Sequence, residues 1–438
     1  MLSVIILAAG QSKRMKSSLS KVLHPLGGLP MIQHVFNAVL GLDPRQVIAV
    51  ISPSLQHHPF LGAVTTVIQD QPLGTGHAVQ CAVDSIEDQS RDVLILCGDT
   101  PLIRPETLKH LMEIDADLAL VAMPLDTAER RAQPYGRILL DDKGVPLGIV
   151  EYKDATDQMR ESPLANAGVY KVKASLLREI LPQLNNKNTT GEYYLTDMVG
   201  LFYERGHSVK LIQADEEEFL GINTRAELAR AESILQHRWR ANAMENGVTL
   251  VQPETIFFAH DTHVEKDCRI GPFVTFGPGV KLHENVTVMS FCHLEHTVAE
   301  SGVTIGPFAH TRGNSVFLAE SSIGNFVEVK GSVIGKKSKA KHLSYIGDSD
   351  IGDSVNIGAG TITCNYDGYK KSRTIIGAGS FIGANSTLIA PIKIGEGVIV
   401  AAGSTVTKDV PDGSLAIARP PQAVKVGWAR TFHDKNRC

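Results

Sequence analysis

Asp99 is the residue of the N-terminal half whose type and position best suit metal binding. It follows the apolar run Val93–Leu96 and the pair Cys97-Gly98. If the run is a strand of a parallel sheet, Asp99 lies at the carboxyl edge, where such sheets bind ligands. Mg²⁺ is typically held by one or two carboxylates together with phosphate oxygens, so this carboxylate would suit a bound nucleotide. An aspartate that only caps a turn would give the same pattern.

Two glycine-containing segments are suited to binding a nucleotide. Leu7-Ala8-Ala9-Gly10 ends the first apolar run and leads into a polar loop, Gln11 to Lys21, that carries Arg14. Small residues let backbone N–H groups approach a phosphate, and basic side chains neutralise it. Gly74-Thr75 begins a helix after another apolar run and suits recognition of a base or phosphate by backbone amides. An ordinary basic loop and a plain helix start are the alternatives.

A second group of polar residues lies in the C-terminal half and consists of Arg312, Glu328, Lys330, His342, Tyr345 and Asn356. Cations that line a cleft cost free energy unless they meet an anion, so the group suggests a phosphate ligand. His342 is the candidate general base, because histidine ordinarily titrates near neutral pH, and Glu328 could orient its imidazole ring. Taken singly, each of these residues could equally be a solvated surface group.

The elements that position the first group alternate between strand and helix. Strands are predicted at Ser3–Leu7, Gln46–Ile51, Thr65–Gln69, Asp92–Cys97, Leu118–Met123 and Val209–Gln213, and helices at Met31–Leu40, Gly76–Ile86 and Gly191–Tyr203. This alternation predicts a Rossmann-like α/β domain, residues 1–223, with a mainly parallel sheet covered on both faces. The stretch from Thr224 to about Asn246 has no Gly or Pro and predicts a linker helix, residues 224–247.

The second group lies in a region, residues 248–438, with a different pattern. Aliphatic or aromatic residues recur every six positions, as in Ile376, Ile382, Leu388, Ile394, Val400 and Val406, and many are followed by Gly. A helix would require a period of 3.6 and an ordinary strand a period of 2. A period of six predicts a β-helix of hexapeptide repeats, with the apolar residues inside and glycine allowing tight turns. The segment from Thr361 to Thr374 breaks the period and is predicted to loop out.

Composition excludes several classes of protein. The 438 residues contain 43 Lys and Arg against 47 Asp and Glu, a net charge of -4, which argues against a nucleic-acid partner. No apolar run approaches the roughly 20 residues needed to cross a bilayer, so no membrane partner is expected. The cysteines form neither a CxxC pair nor a zinc-binding spacing, which predicts reduced thiols and a cytoplasmic protein.

The motifs of the first half resemble those of the nucleoside-diphosphate-sugar pyrophosphorylase family. Tyr135-Gly136-Arg137-Ile138, the run Ile149 to Asp154, Asn166-Ala167-Gly168 and Gly221-Ile222-Asn223 occur in that family's order. The resemblance implies that Leu7, Ala8, Ala9 and Gly10 bind the nucleotide, with Arg14 and Lys21 facing the triphosphate. It further assigns Gln69, Gly74 and Thr75 to uracil, Gly136, Glu151 and Asn166 to N-acetylglucosamine, and Asp99 and Asn223 to the cofactor Mg²⁺.

The whole chain resembles the family of bifunctional bacterial enzymes that make UDP-N-acetylglucosamine from UTP and acetyl-CoA. The resemblance is carried by the runs Gly324–Lys330, Ser338–Asp348 and Asn356–Gly368. It implies a left-handed β-helix and a homotrimer with acetyl-transfer sites between β-helices, and His342 as base. It assigns Arg312, Lys330, Tyr345, Asn356 and Lys371 to glucosamine 1-phosphate, and Ala359, Asn365, Tyr366, Ala384, Ala402 and Arg419 to acetyl-CoA.

The first loop departs from the family pattern at Ser12, at Lys13 and at Ser20, the last of which replaces a proline. Ser12 stands where a glycine is usual and Lys13 where a threonine is usual. If Ser12 needs a positive φ, its Cβ would crowd the nucleotide phosphates. One alternative is therefore an enzyme that only transfers acetyl, with a weakened uridylyl site. Another is a non-catalytic assembly subunit built from the same two folds.

Overall fold

The computed structural model describes residues 1–10, 13–58, 62, 64–127, 131 and 133–437. The chain divides into two compact units, Met1–Leu235 and Gln236–Cys438. Each unit has its own buried core.

The first unit is built on a nine-stranded sheet. The strands of this unit, with the hairpin β2–β3 outside the sheet, are β1 Leu2–Ala8, β2 Pro25–Leu26, β3 Leu29–Pro30, β4 Gln46–Ile51, β5 Thr65–Ile68, β6 Asp92–Cys97, β7 Leu118–Pro124, β8 Arg137–Leu140, β9 Pro146–Val150, β10 Leu164–Lys173 and β11 Val209–Gln213. The main order is β11-β7-β10-β6-β1-β4-β5. All neighbours in this order are parallel except β10, which runs antiparallel to β6 and β7 and also pairs with the β8–β9 hairpin.

Helices cover both faces of this sheet. They are α1 Met31–Leu40, α2 Thr75–Ala82, α3 Pro105–Glu113, α4 Asp157–Arg160, α5 Ala174–Ile180, α6 Asp197–Glu204 and α7 Arg225–Glu245. Alternate residues of a strand face opposite sides of a sheet. Ile5 accordingly packs in one buried cluster with Val79 of α2, and Ile6 packs in another with Val35 of α1. The predicted α/β sheet with two covered faces is confirmed.

The prediction of a helix at Gly191–Tyr203 is wrong over its first six residues, because α6 begins only at Asp197. The backbone groups of Tyr193 form hydrogen bonds with a distant segment and not within a helix. Its N–H donates to the carbonyl of Leu73 at 2.8 Å, and its carbonyl accepts from the N–H of Gly76 at 2.8 Å. The prediction also missed strands β8 to β10, which contribute the antiparallel part of the sheet.

The helix expected at 224–247 runs from Arg225 to Glu245 as α7. The boundary between the two units falls within it. Ala231 is buried with the first unit, whereas Trp239 and Ala243 pack against the core of the second.

The second unit winds its strands into three parallel sheets. The first contains Thr249–Leu250, Arg269–Ile270, Thr287–Val288, Thr304–Ile305, Ser322–Asn325, Lys339–His342, Asn356–Ile357, Phe381–Ile382, Ile399–Val400 and Leu415–Ala416. The second contains His263–Val264, Val280–Leu282, Thr297–Ala299, Ser315–Phe317, Val333–Ile334, Ser349–Ile351, Thr374–Ile376 and Ile392–Ile394. The third contains Thr275–Phe276, His293–Leu294, His310–Arg312, Glu328–Lys330, Tyr345–Gly347, Ile362–Cys364, Thr387–Ile389 and Thr405–Val406.

The period-six residues fill the interior of this β-helix. Ile305, Ile323, Ile346, Ile382 and Ile394 are fully buried in one continuous core. Arg269 pairs with Thr287, and successive coils repeat at about 18 residues. Inward burial of apolar side chains is the main stabilising contribution available to such a coil.

Glycine also serves the coil by allowing close approach of the next coil, a role the sequence did not indicate. A Cβ on Gly352 would lie 2.7 Å from the backbone nitrogen of Ala378, and one on Gly358 would lie 2.5 Å from that of Ala384. Neither glycine has a positive φ. A side chain at these positions would collide with backbone, which cannot move away without breaking the ladder of hydrogen bonds.

The loop expected from Thr361 to Thr374 is shorter than predicted. Ile362–Cys364 forms a strand of the third sheet, with Thr361 and Thr363 buried, and the chain rejoins the coil at Thr374. The loop is closed by a bridge between Tyr366 and Lys371. After the last coil, an exposed helix, α8 Trp428–Asn436, ends the described chain. Among the described residues, no helix is both long and apolar enough to cross a membrane.

Candidate active sites

A cavity of about 410 Å³ lies in the first unit, at the carboxyl ends of β1 and β6. It contains nine of the residues predicted to bind the nucleotide or its metal, namely Leu7, Ala8, Ala9, Gly10, Lys21, Gln69, Gly74, Thr75 and Asp99. These residues come from four separate segments of the chain. The parallel arrangement of β4, β1 and β6 brings their carboxyl ends to one edge, which is where ligands bind in such sheets.

Gly74 shapes one wall of this cavity, which we call the nucleotide cavity. Its φ is 114°, and an added Cβ would lie 2.5 Å from the carbonyl oxygen of Tyr193, so no other residue fits without strain. The side-chain amide of Gln69 donates to the carbonyl of Gly74 at 3.1 Å. The hydroxyl of Thr75 accepts from the N–H of Leu195 at 3.1 Å. The three residues assigned to uracil are therefore held in one fixed wall.

Lys21 links the two predicted Mg²⁺ ligands. Its ammonium group forms an ion pair with Asp99 and donates to the side-chain oxygen of Asn223 at 2.9 Å. Two hard oxygen donors thus converge on one cation, which is the donor set that Mg²⁺ prefers when phosphate oxygens and water complete its shell. The described residues contain no group of three or more His, Cys, Asp or Glu side chains that could hold a metal ion without such help. The residues present therefore fit a Mg²⁺ ion bound together with a nucleotide.

Arg14 is not brought into the lining of this cavity. It lies exposed on the short helix Lys13–Met15. Gln11 and Ser12, on which the expectation of a weakened uridylyl site depends, lie outside the described residues.

The residues assigned to N-acetylglucosamine form a second cluster at β10 and the β8–β9 hairpin that pairs with it. The N–H of Asn166 donates to the carbonyl of Gly136 at 2.9 Å, and a Cβ on Gly136 would lie 3.5 Å from the Glu151 carboxylate. The Thr196 hydroxyl donates to Glu151 at 3.1 Å. Burial raises the pKa of the Glu151 carboxyl above its usual range, and the hydrogen bond from Thr196 opposes this only in part.

The nucleotide cavity also has walls that the sequence analysis missed. Glu192 lines it, and so does Cys97, at the end of β6. Burial, followed by the nearby Asp99 carboxylate, raises the pKa of the Cys97 thiol to about 12, so this side chain is a neutral wall and not a nucleophile. Glu192 reaches the nucleotide cavity because the chain before α6 is extended and not helical as predicted. No local sequence pattern indicates this position.

In the second unit, the third sheet aligns four of the predicted residues on consecutive coils. Arg312 pairs in register with Lys330, and Glu328 pairs with Tyr345. The guanidinium of Arg312 donates to Glu328 from Nε at 3.0 Å and from Nη2 at 2.5 Å. Arg312 and Lys330 thus place two cations side by side on one face of the β-helix, and Glu328 partly neutralises one of them.

Lys371 of the protruding loop reaches the same face. A hydrogen bond with Lys371 and partial desolvation lower the pKa of Lys330 below its usual range. Two amines in contact repel one another when both are protonated, so a bound dianion would relieve this repulsion. The cluster of Arg312, Lys330 and Lys371 is therefore suited to a phosphate group.

His342 takes a different partner from the one expected. Its Nδ1 lies 2.8 Å from the side-chain oxygen of Asn325. The expectation that Glu328 orients the imidazole is wrong, because Glu328 lies beyond the corner on the third sheet and binds Arg312. The sequence contained a signal for Asn325, since it occupies the position of His342 on the preceding coil.

Asn365 and Tyr345 converge above Gly347. A Cβ on Gly347 would lie 2.5 Å from the Tyr345 hydroxyl and 2.7 Å from the Asn365 amide nitrogen. Asn365 is buried, and its amide donates to Asp348 at 2.5 Å. Tyr366 is exposed on the loop, and its hydroxyl donates to the carbonyl of Gly368 at 2.6 Å.

The three alanines assigned to acetyl-CoA lie along one corner of the β-helix. Ala359, Ala384 and Ala402 each precede a residue with positive φ, namely Gly360, Asn385 and Gly403, on consecutive coils. The N–H of Asn385 donates to Ala359 at 2.7 Å, and that of Gly403 donates to Ala384 at 2.8 Å. Arg419 follows on the next coil, where its Cδ lies 3.9 Å from the Cβ that Gly403 lacks.

The same corner is filled by aromatic rings on the earlier coils. Phe273, Phe291, Phe308 and Phe326 occupy the positive-φ position there and stack with ring centroids 5.0 Å apart. His342 lies where the rings end and the small residues begin. The corner is therefore open beside the three alanines, which suits an extended ligand.

Among the residues predicted to bind glucosamine 1-phosphate, Asn356 lies on a different sheet of the single chain from Arg312 and Lys330. It lies on the first sheet, in register with Lys339, whereas Arg312, Lys330 and Tyr345 lie on the third. The two sheets meet at the corner that carries His342.

Comparisons with known proteins identify the family. The model of the MobA-like NTP transferase domain matches residues 4–185, and that of the bacterial transferase hexapeptide (six repeats) matches residues 373–408. The chain is 45% identical over 438 residues to the bifunctional protein GlmU of Paramagnetospirillum magneticum, covering 98% of this chain and 96% of that protein. It is 44% identical to that of Paracoccus denitrificans, with 98% and 96% covered, and 43% identical to that of Zymomonas mobilis, with 99% and 98% covered. The predicted Rossmann-like domain and left-handed β-helix are confirmed, and the chain belongs to the family of the bifunctional protein GlmU.

Proposed function

We propose that the chain is an enzyme with two active sites, one in each unit, that together make UDP-N-acetylglucosamine. In the second unit, acetyl is transferred from acetyl-CoA to the amine of glucosamine 1-phosphate. In the first unit, the N-acetylglucosamine 1-phosphate so formed reacts with UTP. Each ligand is assigned to the residues that the family resemblance implies for it.

In the acetyl transfer, Arg312, Lys330 and Lys371 bind the sugar phosphate, and His342 removes a proton from the amine. The amine nitrogen attacks the carbonyl carbon of the thioester, the C–S bond breaks, and the thiolate of CoA leaves and takes up a proton. The open corner beside Ala359 and Ala384 holds acetyl-CoA, with Asn365 and Tyr366 at its edge. The catalytic contribution of a positioned base is about 10²–10⁴-fold.

In the uridylyl transfer, a phosphate oxygen of N-acetylglucosamine 1-phosphate attacks the α-phosphorus of UTP, and the bond to the β-phosphate breaks to release pyrophosphate. Gln69 and Gly74 hold the base, and Glu151 holds the sugar. Asp99 and Asn223 would hold Mg²⁺, which when bound neutralises charge on the triphosphate. The remaining catalysis is positioning of two bound reactants, so no covalent intermediate is required.

The observation that supports this function most strongly is the nucleotide cavity, where nine predicted residues from distant segments meet. The test is to assay each half-reaction separately in the full chain. Asp99→Asn should lower uridylyl transfer by about 10²-fold or more and leave acetyl transfer unchanged. His342→Ala should lower acetyl transfer by about 10²–10⁴-fold and leave uridylyl transfer unchanged. Parallel loss of both activities in either variant, or no loss in the assigned one, would contradict the assignment.

The proposal includes a homotrimer in which the acetyl-transfer site lies between copies. It is supported by the separation of Asn356 from Arg312 and Lys330 on two faces of one β-helix. A neighbouring copy could present Asn356 to the phosphate cluster, and closed symmetric assemblies are the usual form of homo-oligomers. The proposal also implies a cytoplasmic location, since UTP and acetyl-CoA are cytoplasmic metabolites.

The uridylyl activity of this chain has to operate with Ser12 in its first loop. Ser12→Gly restores the residue that is usual in the family. If Ser12 weakens the site, the variant should raise kcat/KM for UTP and leave acetyl transfer unchanged. Equal kcat/KM in the two proteins would show that the loop tolerates a side chain here.

A further inference from the structure

Asn325 and His342 are paired on adjacent coils of the first sheet. The two residues are register partners, and the N–H of Leu343 donates to the backbone carbonyl of Asn325 at 3.0 Å. The side-chain oxygen of Asn325 lies 2.8 Å from Nδ1 of His342. Backbone and side-chain contacts therefore fix the ring against the preceding coil.

This contact selects one form of the imidazole. An amide oxygen has no proton, so Nδ1 must carry the hydrogen of this bond. In the neutral ring the lone pair then lies on Nε2, at the other side of the ring. Nε2 is thus the atom that can accept a proton.

We infer that Asn325 is a positioning residue for acetyl transfer, holding His342 in the tautomer and orientation in which Nε2 is the base. The inference rests on the proposed function of His342 and adds the group through which that function is maintained. Glu328, the other candidate, is engaged by Arg312. An amide adds no negative charge beside the ring, so it orients the ring without favouring the protonated form as a carboxylate would.

The position of Asn325 along the corner agrees with this role. Asn325, His342 and Ala359 each directly precede a residue of positive φ, namely Phe326 at 55°, Leu343 at 46° and Gly360 at 75°. Asn325 thus lies on the side of His342 occupied by the stacked rings, and Ala359 lies on the open side. Asn325 can hold the ring without entering the space proposed for acetyl-CoA.

The test measures kcat and both KM values for acetyl transfer across a pH range, using the full chain. Asn325→Ala should lower kcat by at least about tenfold, less than His342→Ala does, with KM values changed by less than about twofold. Asn325→Asp should restore most of kcat, because its carboxylate also accepts from Nδ1–H. It should also move the acidic limb of the kcat profile to higher pH, since a carboxylate favours the protonated ring. Ser290→Ala, at the same corner position two coils earlier, is the matched control and should change neither kcat nor the profile.

A double-mutant cycle separates positioning from a general structural effect. If Asn325 acts through His342, adding Asn325→Ala to His342→Ala should lower kcat no further. An equal additional loss in that background would overturn the inference, as would wild-type kcat in Asn325→Ala alone. If His342→Ala itself keeps wild-type activity, the base assignment fails, and the positioning role fails with it. If instead His342→Ala is inactive and Asn325→Ala is not, only the positioning role fails. Uridylyl transfer and the melting temperature serve as folding controls in every variant.

Discussion

Lys21 occupies the position between Asp99 and Asn223 that a metal ion would take in the proposed uridylyl site. Asp99 lies 78 residues and Asn223 lies 202 residues from Lys21 in the sequence, so only the folded sheet edge unites them. A cation at this point stabilises the two oxygens when no metal is bound. The same ammonium group can turn to the triphosphate when Mg²⁺ and nucleotide enter together, because a lysine stem is flexible and its charge is compact.

Removing this cation should therefore strengthen metal binding in the absence of nucleotide. In Lys21→Met, the Kd for Mn²⁺, used as a spectroscopic probe of the Mg²⁺ site, should fall by about fivefold, which corresponds to about 1 kcal/mol of lost competition. The affinity for UTP should fall in the same variant. Lys16→Met changes an exposed lysine of the same loop and should alter Mn²⁺ binding little. Unchanged or weaker Mn²⁺ binding in Lys21→Met would contradict the competition.

Glu151 is a residue at which stability and function should oppose each other. Because burial raises its pKa in the folded protein, the native state is destabilised by ionisation of Glu151 at neutral pH. The cost is absent below the unfolded pKa, about 4.3, grows as pH rises from there to the raised pKa of the folded protein, and is constant above it. Glu151→Gln should therefore raise the melting temperature of the first unit at pH 7 by about 2–4 °C per kcal/mol recovered, and the gain should vanish near pH 4.

Glu192→Gln is the matched control for this measurement, because Glu192 is a glutamate of the same unit that lines the nucleotide cavity and is exposed. Its substitution should leave the melting temperature unchanged at both pH values. Uridylyl transfer should fall in Glu151→Gln if the carboxylate binds the sugar. A lower melting temperature of Glu151→Gln at pH 7 would mean that the charge is compensated by its surroundings.

At the scale of the element, the coil of the β-helix depends on glycine for two different reasons. Gly377 and Gly379 lie in one turn, and each of them illustrates one of these reasons. A Cβ on Gly377 would lie 2.5 Å from the backbone nitrogen of Glu396 on the next coil, whereas no atom lies within 4 Å of a Cβ on Gly379, whose φ is +67°. Close approach is required at the first position and a left-handed backbone at the second.

Gly377→Ala should consequently destabilise the second unit more than Gly379→Ala. The expected losses are about 3 kcal/mol or more for the collision with backbone and about 1 kcal/mol for the left-handed backbone. Thermal unfolding followed by calorimetry measures both, with the transition of the first unit as an internal reference. Equal losses in the two variants would mean that adjacent coils can separate at little cost.

The element scale also explains what the sequence predicted well. Continuous apolar runs, the amphipathic period of a helix and the period of six are local properties of a chain, so β4, β6, α1 and the interior residues of the β-helix could be located from them. The helix expected at Gly191–Tyr203 was placed too early because long-range hydrogen bonds to Leu73 and Gly76 hold Tyr193 extended. Local propensity carries no information on such a partner.

At the scale of the whole molecule, the proposed trimer can be tested by complementation. If Arg312 of one copy and Asn356 of another form one acetyl-transfer site, Arg312→Ala and Asn356→Ala should each be inactive alone. Coexpression of the two variants should restore about one quarter of the sites, because a mixed interface can pair the intact Arg312 of one chain with the intact Asn356 of its neighbour. Light scattering should give a trimeric mass.

Two results would contradict this arrangement. A monomeric mass at micromolar concentration would exclude the assembly. Trimers without any recovered activity on coexpression would mean that each site is complete within one chain. Uridylyl transfer, which we assign to the first unit alone, should be unaffected by either variant and provides the control for protein amount.

The sequence by itself determined the two fold types, the interior of the β-helix and the set of candidate ligands, because spacing and residue type are written locally along the chain. Only the tertiary structure decided which polar side chains meet. The ammonium group of Lys21 binds both Asp99 and Asn223, and the imidazole of His342 is hydrogen-bonded to Asn325 and not to Glu328. The physical reason is register: coils of slightly unequal length and crossovers between parallel strands fix which residue lies above which. A shift of one position turns a side chain to another face.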